Sequence, residues 1–242
     1  MEDTGHHRSA LVRTKVQLLL GMAVGFLLVV MFGVASAGET PSSDPALPEV
    51  ELAPAVVVSA GADSVDLRTI VRVSAEHRAA LERGTAFQLN DGRVVTVAHA
   101  IVDARFVTIE RGNRPVLIDD VGTNPAIHIN RQHDLAVIDH QLLTHGMDVA
   151  EEPAEIGEVL AVAGIGPNGQ LSVTTGKVIS RTAGVNYGIG RPDIYVVSAP
   201  IEAGWSGGPL VNADGEVVAV VVALETRSGV ALAVPVEHIP QP

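Results

Sequence analysis

Residues 204–224, GWSGGPLVNADGEVVAVVVAL, hold the decisive pattern: a glycine-rich loop, a short apolar run, tight-turn chemistry at Asn212-Ala213-Asp214-Gly215, then a long valine-rich run. Asn, Asp and Gly tolerate the left-handed conformations that tight turns need, and branched side chains suit a pleated surface. The segment is therefore expected to be strand, turn and strand, with an exposed serine, Ser206, on the loop that opens it.

The same pattern recurs on both sides. Short apolar runs stand at 69–73, 84–89, 93–99, 105–110, 135–139, 158–164, 176–180, 194–199, 216–224 and 229–236, with Asn90-Asp91-Gly92 as another turn. Strands at this spacing indicate an all-β sandwich or barrels. Ser74–Glu82 breaks the pattern and reads as a polar loop excursion. Aromatic residues are only 3% of the chain, so the core must be built from Val, Ala, Leu and Ile. No internal sequence repeat is visible.

Before residue 55 the composition changes. Residues 16–34, VQLLLGMAVGFLLVVMFGV, are uncharged and apolar and follow Arg8, Arg13 and Lys15. As a helix they would span about 28 Å, close to the hydrocarbon thickness of a bilayer. The preceding cations place residues 1–15 in the cytoplasm and the rest outside. Ala35-Ser36-Ala37 fits a signal-peptide cleavage site, giving a secreted product cut after Ala37. The length of the apolar run favours a retained single-pass anchor over residues 16–37. Residues 38–54 carry four prolines and read as a semi-rigid spacer to a domain over 55–242.

The formal charge is −12, with only Lys15 and Lys177 as lysines. Such a domain repels phosphate backbones, so nucleic acid is not an expected partner. There is no cysteine, which excludes disulfides, thiolate metal sites and a cysteine nucleophile. Among the nine histidines, His128, His133, His140 and His145 are scattered without the paired helical spacing of a zinc peptidase. No metal and no cofactor are expected.

Three segments carry chemistry: Thr96-Val97-Ala98-His99-Ala100, His133-Asp134-Leu135-Ala136-Val137, and the loop around Ser206. A serine hydroxyl needs a base within hydrogen-bond reach, imidazole supplies one, and a buried carboxylate fixes its tautomer. His99, Asp134 and Ser206 are the candidate catalytic triad. Gly204 is free to turn its N–H inward and, with the Ser206 N–H, to form an oxyanion hole. Gly207 and Gly208 are expected to leave room for substrate. Each residue alone has an ordinary structural explanation; the combination is what points to nucleophilic catalysis.

On these blocks the chain resembles the trypsin/chymotrypsin superfamily, and within it the bacterial HtrA (Do-like) branch. TVAH, DLAV and GWSGGPL match that branch's triad blocks, and the gaps from His99 to Asp134 and from Asp134 to Ser206 are similar to its own. Gly84-Thr85-Ala86-Phe87, Gly176-Lys177-Val178-Ile179-Ser180 and Ala231-Leu232-Ala233-Val234-Pro235 resemble further blocks, so the likeness covers about residues 68–239. It implies two six-stranded antiparallel barrels of chymotrypsin type, the site in the cleft between them, and endopeptidase activity on extracytoplasmic proteins or peptides.

Three departures qualify the resemblance. Val97 replaces a smaller residue. Trp205, the only tryptophan, stands where trypsins have the Asp that pairs with a freed N-terminus, so activation by propeptide removal is not expected. Its indole is expected to lie against the oxyanion loop and hold the Gly204 N–H, an aromatic substitute for polar tethering. Pro242 follows soon after the last strand, and regulation through a PDZ domain is not expected. Six residues before Ser206, where trypsins carry the carboxylate of the specificity pocket, stands Pro200, followed by Ile201. With Val220, Val221, Val222 and Ala223 as the facing wall, the pocket is expected to be apolar, with Glu202 turned to solvent. Two other functions fit the same residues: a membrane-tethered binding or sensor module without turnover, and an esterase using the same triad.

Overall fold

In the computed structural model the described residues are 57–58, 63–111 and 114–241. The apolar segment 16–37 and the spacer 38–54 lie outside them, as does the expected N-terminal helix. Among the described residues, no helix is long and apolar enough to cross a membrane.

Among the described residues, fourteen strands form two seven-stranded sheets. The first is built from β2 (Ile70–Glu76), β3 (Leu81–Gln88), β4 (Val94–Val97), β5 (Phe106–Arg111), β6 (Arg114–Asp119), β7 (Ile127–Asn130) and β8 (Leu135–Ile138). Its order is β6-β5-β2-β3-β4-β8-β7, every neighbour antiparallel. The second contains β9 (Val159–Ile165), β10 (Leu171–Thr182), β11 (Ile194–Ser198), β12 (Pro209–Val211), β13 (Val217–Glu225) and β14 (Val230–Pro235). Pairing of β9 with both β12 and β10 closes these six into a ring. A two-residue strand, β1 (Val57–Val58), runs parallel to β10.

The all-β expectation holds, and one of the two expected barrels is a closed six-stranded ring. The other is corrected: the first sheet has seven strands, and β6 and β7 stand at opposite ends of its hydrogen-bonded order, giving a half-barrel. The polar excursion at 74–82 is corrected as well. Ser74 and Ala75 pair with β3 on one side and β5 on the other, and only 77–80 turn, closed by the His77 N–H donating to the Ala80 carbonyl. Pairing on both flanks outweighs the polar composition of SAEHRAALE.

Alternation along the ring strands sends neighbouring residues to opposite faces. Leu160, Val162, Tyr195, Val197, Leu210 and Ala233 belong to one buried cluster. Their neighbours Ala161, Ala163, Val196, Val211, Leu232 and Val234 join another, which continues into Val73, Phe87, Val95, Leu135 and Val137 of the first sheet. One continuous core thus spans the two sheets. It fixes the first sheet, which carries His99 and Asp134, against the ring that carries Ser206.

Candidate active site

Strand register brings His99 and Asp134 together. Val97 of β4 pairs with Leu135 of β8, so Ala98 and Asp134 face each other just beyond the ladder. The Ala98 N–H donates to the Asp134 carbonyl at 2.9 Å. The chain then turns into α1 (Ala98–Ile101), a single helical turn that presents the His99 ring. The Asp134 carboxylate takes the His99 N–H on Oδ1 at 2.9 Å and meets His99 Nδ1 with Oδ2 at 2.7 Å. Asp134 holds a left-handed φ of 64°, a conformation that Asp tolerates better than most residues.

The Asp134 side chain is 6% exposed, and that burial opposes ionisation. The His99 ring bond, the nearby charges of His99 and Arg191 and the His99 N–H together outweigh it, leaving Asp134 below the usual carboxylate range. An ionised carboxylate has no proton to donate, so the hydrogen in the 2.7 Å bond resides on Nδ1. The other ring nitrogen, Nε2, is left as the acceptor, the tautomer that proton abstraction requires. The His99 side chain is 45% exposed and therefore open to a substrate.

Ser206 sits on the loop before β12, which rests on the first sheet. The Thr85 N–H donates to the Ser206 carbonyl at 2.8 Å. Thr85 Oγ1 donates to the Gly204 carbonyl at 2.8 Å and accepts the Ile165 N–H at 2.8 Å, while the Thr85 carbonyl accepts Thr96 Oγ1 at 2.8 Å. Thr85 is fully buried and uses every backbone and side-chain polar atom in these contacts. Thr96 is three residues before His99, so one short network joins the loop to the strand that bears the base. No hydrogen bond joins His99 Nε2 to Ser206 Oγ among the described residues, an arrangement common in ligand-free sites of this kind.

Gly204 has φ of 91°, and a Cβ there would stand 2.6 Å from the Ile165 carbonyl oxygen, so glycine is required. The Trp205 carbonyl accepts the Gly208 N–H at 2.9 Å, which turns the peptide N–H of Ser206 the other way. Neither the Gly204 nor the Ser206 N–H donates to another described protein atom. Gly207 and Gly208 serve the fold: their Cβ atoms would meet the carbonyls of Thr85 and Ala163 at 2.0 and 2.1 Å.

Trp205 is 3% exposed, and its indole lies over Gly164, where a Cβ would come within 2.4 Å of the ring. Its Nε1 is buried without a partner. The indole therefore packs onto β9, while the polar tether on Gly204 comes from Thr85. Of the residues expected to form the specificity pocket, Pro200 is exposed, Ile201 is 9% exposed, and Val220, Val221 and Val222 are buried. Val220 and Val222 join the core shared with the first sheet, whereas Val221 packs with Ile201 and Trp205. Glu202 is exposed beside Gly166.

The sequence reading missed Thr85, Thr96 and Arg191. Thr85 stood in a recognised block, GTAF, without any sign that its hydroxyl would reach Gly204, more than a hundred residues away. Arg191 lies in the β10–β11 connection, where no periodicity ties it to Asp134, yet its Nη2 stands 2.9 Å from Asp134 Oδ2. Asp193, Glu237 and His238 also cluster, but the Arg181 guanidinium already pairs with both carboxylates.

A two-sheet β fold with a histidine–carboxylate pair on one sheet and a glycine-flanked serine loop on the other defines a serine-hydrolase type of site. Residues 84–220 match the family described as "Trypsin-like peptidase domain", and the chain belongs to that family. It is 31% identical over 144 residues to "Serine protease Rv3671c" of Mycobacterium tuberculosis, covering 57% of this chain and 35% of the relative. It is 30% identical over 179 residues to "Serine protease HTRA1A" of Danio rerio, covering 70% and 36%. The matches thus span about a third of the length of these curated relatives. The solved active form of the Rv3671c protease superposes with a TM-score of 0.61 at 21% identity, over 86% of this chain and 96% of that one. The HtrA-type protease AlgW with a tripeptide gives 0.61 at 20% identity, over 70% and 57%. At these identities the two structures speak for the fold alone.

Proposed function

We propose that the chain is a serine endopeptidase acting on extracytoplasmic proteins or peptides through an acyl-enzyme. The observation that carries this reading is the 2.7 Å bond from His99 Nδ1 to the buried Asp134 carboxylate, which leaves Nε2 as a base on the side open to solvent. In the reaction, Ser206 Oγ attacks the scissile carbonyl while His99 Nε2 takes its proton. Asp134 balances the imidazolium. The N–H groups of Gly204 and Ser206 stabilise the tetrahedral oxyanion, and the same proton then passes to the leaving amine. Water reverses the sequence on the ester.

Residues 16–37 supply membrane attachment, or secretion if cleavage follows Ala37, and both place the domain outside the cytoplasm. Acyl-side preference is for small or medium apolar residues, because Pro200 and Ile201 provide no carboxylate for a basic side chain and Glu202 faces solvent. A fluorophosphonate probe tests the reading: it should label the wild-type protein but not Ser206→Ala, and the wild type alone should cut an unfolded protein substrate. Absence of both labelling and cleavage by the folded wild type would leave the alternative, a peptidase-fold binding or sensor module.

A further inference from the structure

The Asp134 carboxylate carries one more cation than the reaction calls for. The Arg191 guanidinium approaches the same oxygen that holds the His99 ring, Nη2 to Oδ2 at 2.9 Å, and its Nη1 donates to the Arg131 carbonyl at 3.1 Å. Both acceptors belong to the short segment leading into β8, so the guanidinium is fixed by two points rather than by one flexible pair. Its own backbone is also held. The Gly184 N–H donates to the Arg191 carbonyl at 2.7 Å, and Asp193, two residues on, is anchored by Arg181 and His238. Arg191 is 26% exposed and Asp134 6%, so the pair is largely shielded from water.

Resting on the proposed peptidase reading, we infer that Arg191 is a positioning residue that shares the triad carboxylate with His99, orienting it and limiting how strongly it favours a protonated ring. A carboxylate that faces imidazole alone gives its full field to the imidazolium. With a guanidinium on the same oxygen, part of that field is neutralised, and ring protonation becomes less favourable. The carboxylate plane is thereby set before substrate arrives.

The surrounding charges are few. From α1 the ring itself faces Asp134. His133, next in sequence to Asp134, stacks on His238 at 3.7 Å, and His238 pairs with Asp193 at 3.0 Å. Burial, the neighbouring His238 and Arg191 hold His133 below the usual imidazole range, against the pull of Asp193. The charged form of His133 is thereby disfavoured beside the triad carboxylate. From the β2–β3 hairpin, His77 contacts the Ala100 carbonyl at 3.3 Å and Glu82 at 3.8 Å, and Arg131 pairs with Asp103 at 3.7 Å on the surface. Of these groups, Arg191 is the cation in contact with the triad carboxylate.

The test compares wild type, Arg191→Gln, Arg191→Met and Arg191→Lys in the full chain. Two readouts are used: the acid limb of kcat/KM on an unfolded substrate, and the ring titration of His99 by carbon-13 NMR. The limb and the titration should both move up by about one pH unit in Gln and Met, and Lys should return them most of the way. Kcat should fall about tenfold in the neutral variants with KM little changed. Met preserves the aliphatic stem and serves if Gln does not fold. An unmoved titration in a folded neutral variant overturns the inference, as does a Lys variant that behaves like Gln. Because NMR needs no turnover, a shifted titration in a protein without hydrolysis would retain the inference and remove the peptidase reading instead.

Discussion

The first sheet brings a carboxylate and an imidazole together at Asp134 Oδ2, where the guanidinium of Arg191 from the β10–β11 connection joins them, with the carboxylate almost out of water. The loop bearing Ser206 is anchored quite differently, by neutral groups: the Thr85 hydroxyl and backbone, and the peptide bonds of Gly207 and Gly208. Charge acts over distance and responds to pH and salt, whereas a backbone clamp acts only at contact and is indifferent to both. In the proposed reaction the base half of the site is therefore tunable, and the nucleophile half is held by contact alone.

The largest expected effect breaks the charged half. In Asp134→Asn the amide oxygen keeps the His99 N–H at the Oδ1 position, the NH2 group takes the Oδ2 position that meets the ring and Arg191, and His99 Nδ1 must accept. That puts the ring proton on Nε2, the wrong tautomer for a base, and kcat should fall by about 10⁴. Asn tolerates the positive φ at this position, so the thermal melting transition should remain cooperative. A loss below tenfold would show that Asp134 does not set the tautomer.

How much of this was legible in the sequence divides along the same line. The candidate triad residues and the β content were read from TVAH, DLAV and GWSGGPL and from the valine-rich runs, because those signals are local. The strands β6 and β7, and the first part of β10, were not anticipated. Their residues are polar, short or only half-buried, as in the IHIN stretch of β7, so alternation is weak. Closure of one sheet and not the other depends on which edges pair, and no single strand encodes that. Thr85 and Arg191 act across 119 and 57 residues of chain, and neither residue type announces such a partner.

Breaking the neutral half comes next in size. Thr85→Val keeps the shape but strips the Gly204 carbonyl and the Ile165 N–H of their shared partner in a dry site. Each orphaned group costs about 1–3 kcal/mol, so urea unfolding should register a loss of about 2–4 kcal/mol. The fluorophosphonate reaction should slow at least tenfold as the oxyanion loop loosens. Thr85→Ser retains the hydroxyl and should lose less than about 1.5 kcal/mol. A Val variant as stable and reactive as wild type would place the clamp elsewhere.

A smaller effect separates the halves by pH. Asp134 is held below its ordinary range in the folded chain, with burial opposed by His99 and Arg191. A depressed carboxylate contributes stability that is fully present above the unfolded value, about pH 4, and is lost as pH falls through the folded one. Between pH 5 and the acid transition, wild type should therefore lose melting temperature faster than Asp134→Asn, while Thr85→Ser should parallel wild type. Equal slopes in wild type and Asp134→Asn would mean that the carboxylate contributes nothing to acid sensitivity.

The smallest expected effect concerns Trp205, where the nucleophile half meets the ring. The indole fills the space over Gly164 that a Cβ would take, and its N–H is buried without an acceptor. Trp205→Phe removes that unsatisfied donor, a gain that offsets part of the lost apolar contact, so stability should change by only about 1–2 kcal/mol. As the only tryptophan, it also reports on its neighbour. Its peptide lies between the Gly204 carbonyl held by Thr85 and the Ser206 N–H, so a covalent adduct on Ser206 that draws on that N–H must strain the peptide carrying the indole. Native emission should therefore be that of a buried indole, and it should change in intensity on full fluorophosphonate labelling of wild type but not of Ser206→Ala. An unchanged spectrum on complete labelling would show that the ring face of the loop does not sense its catalytic face. The clamp at Thr85 would then hold the loop without passing strain to the indole.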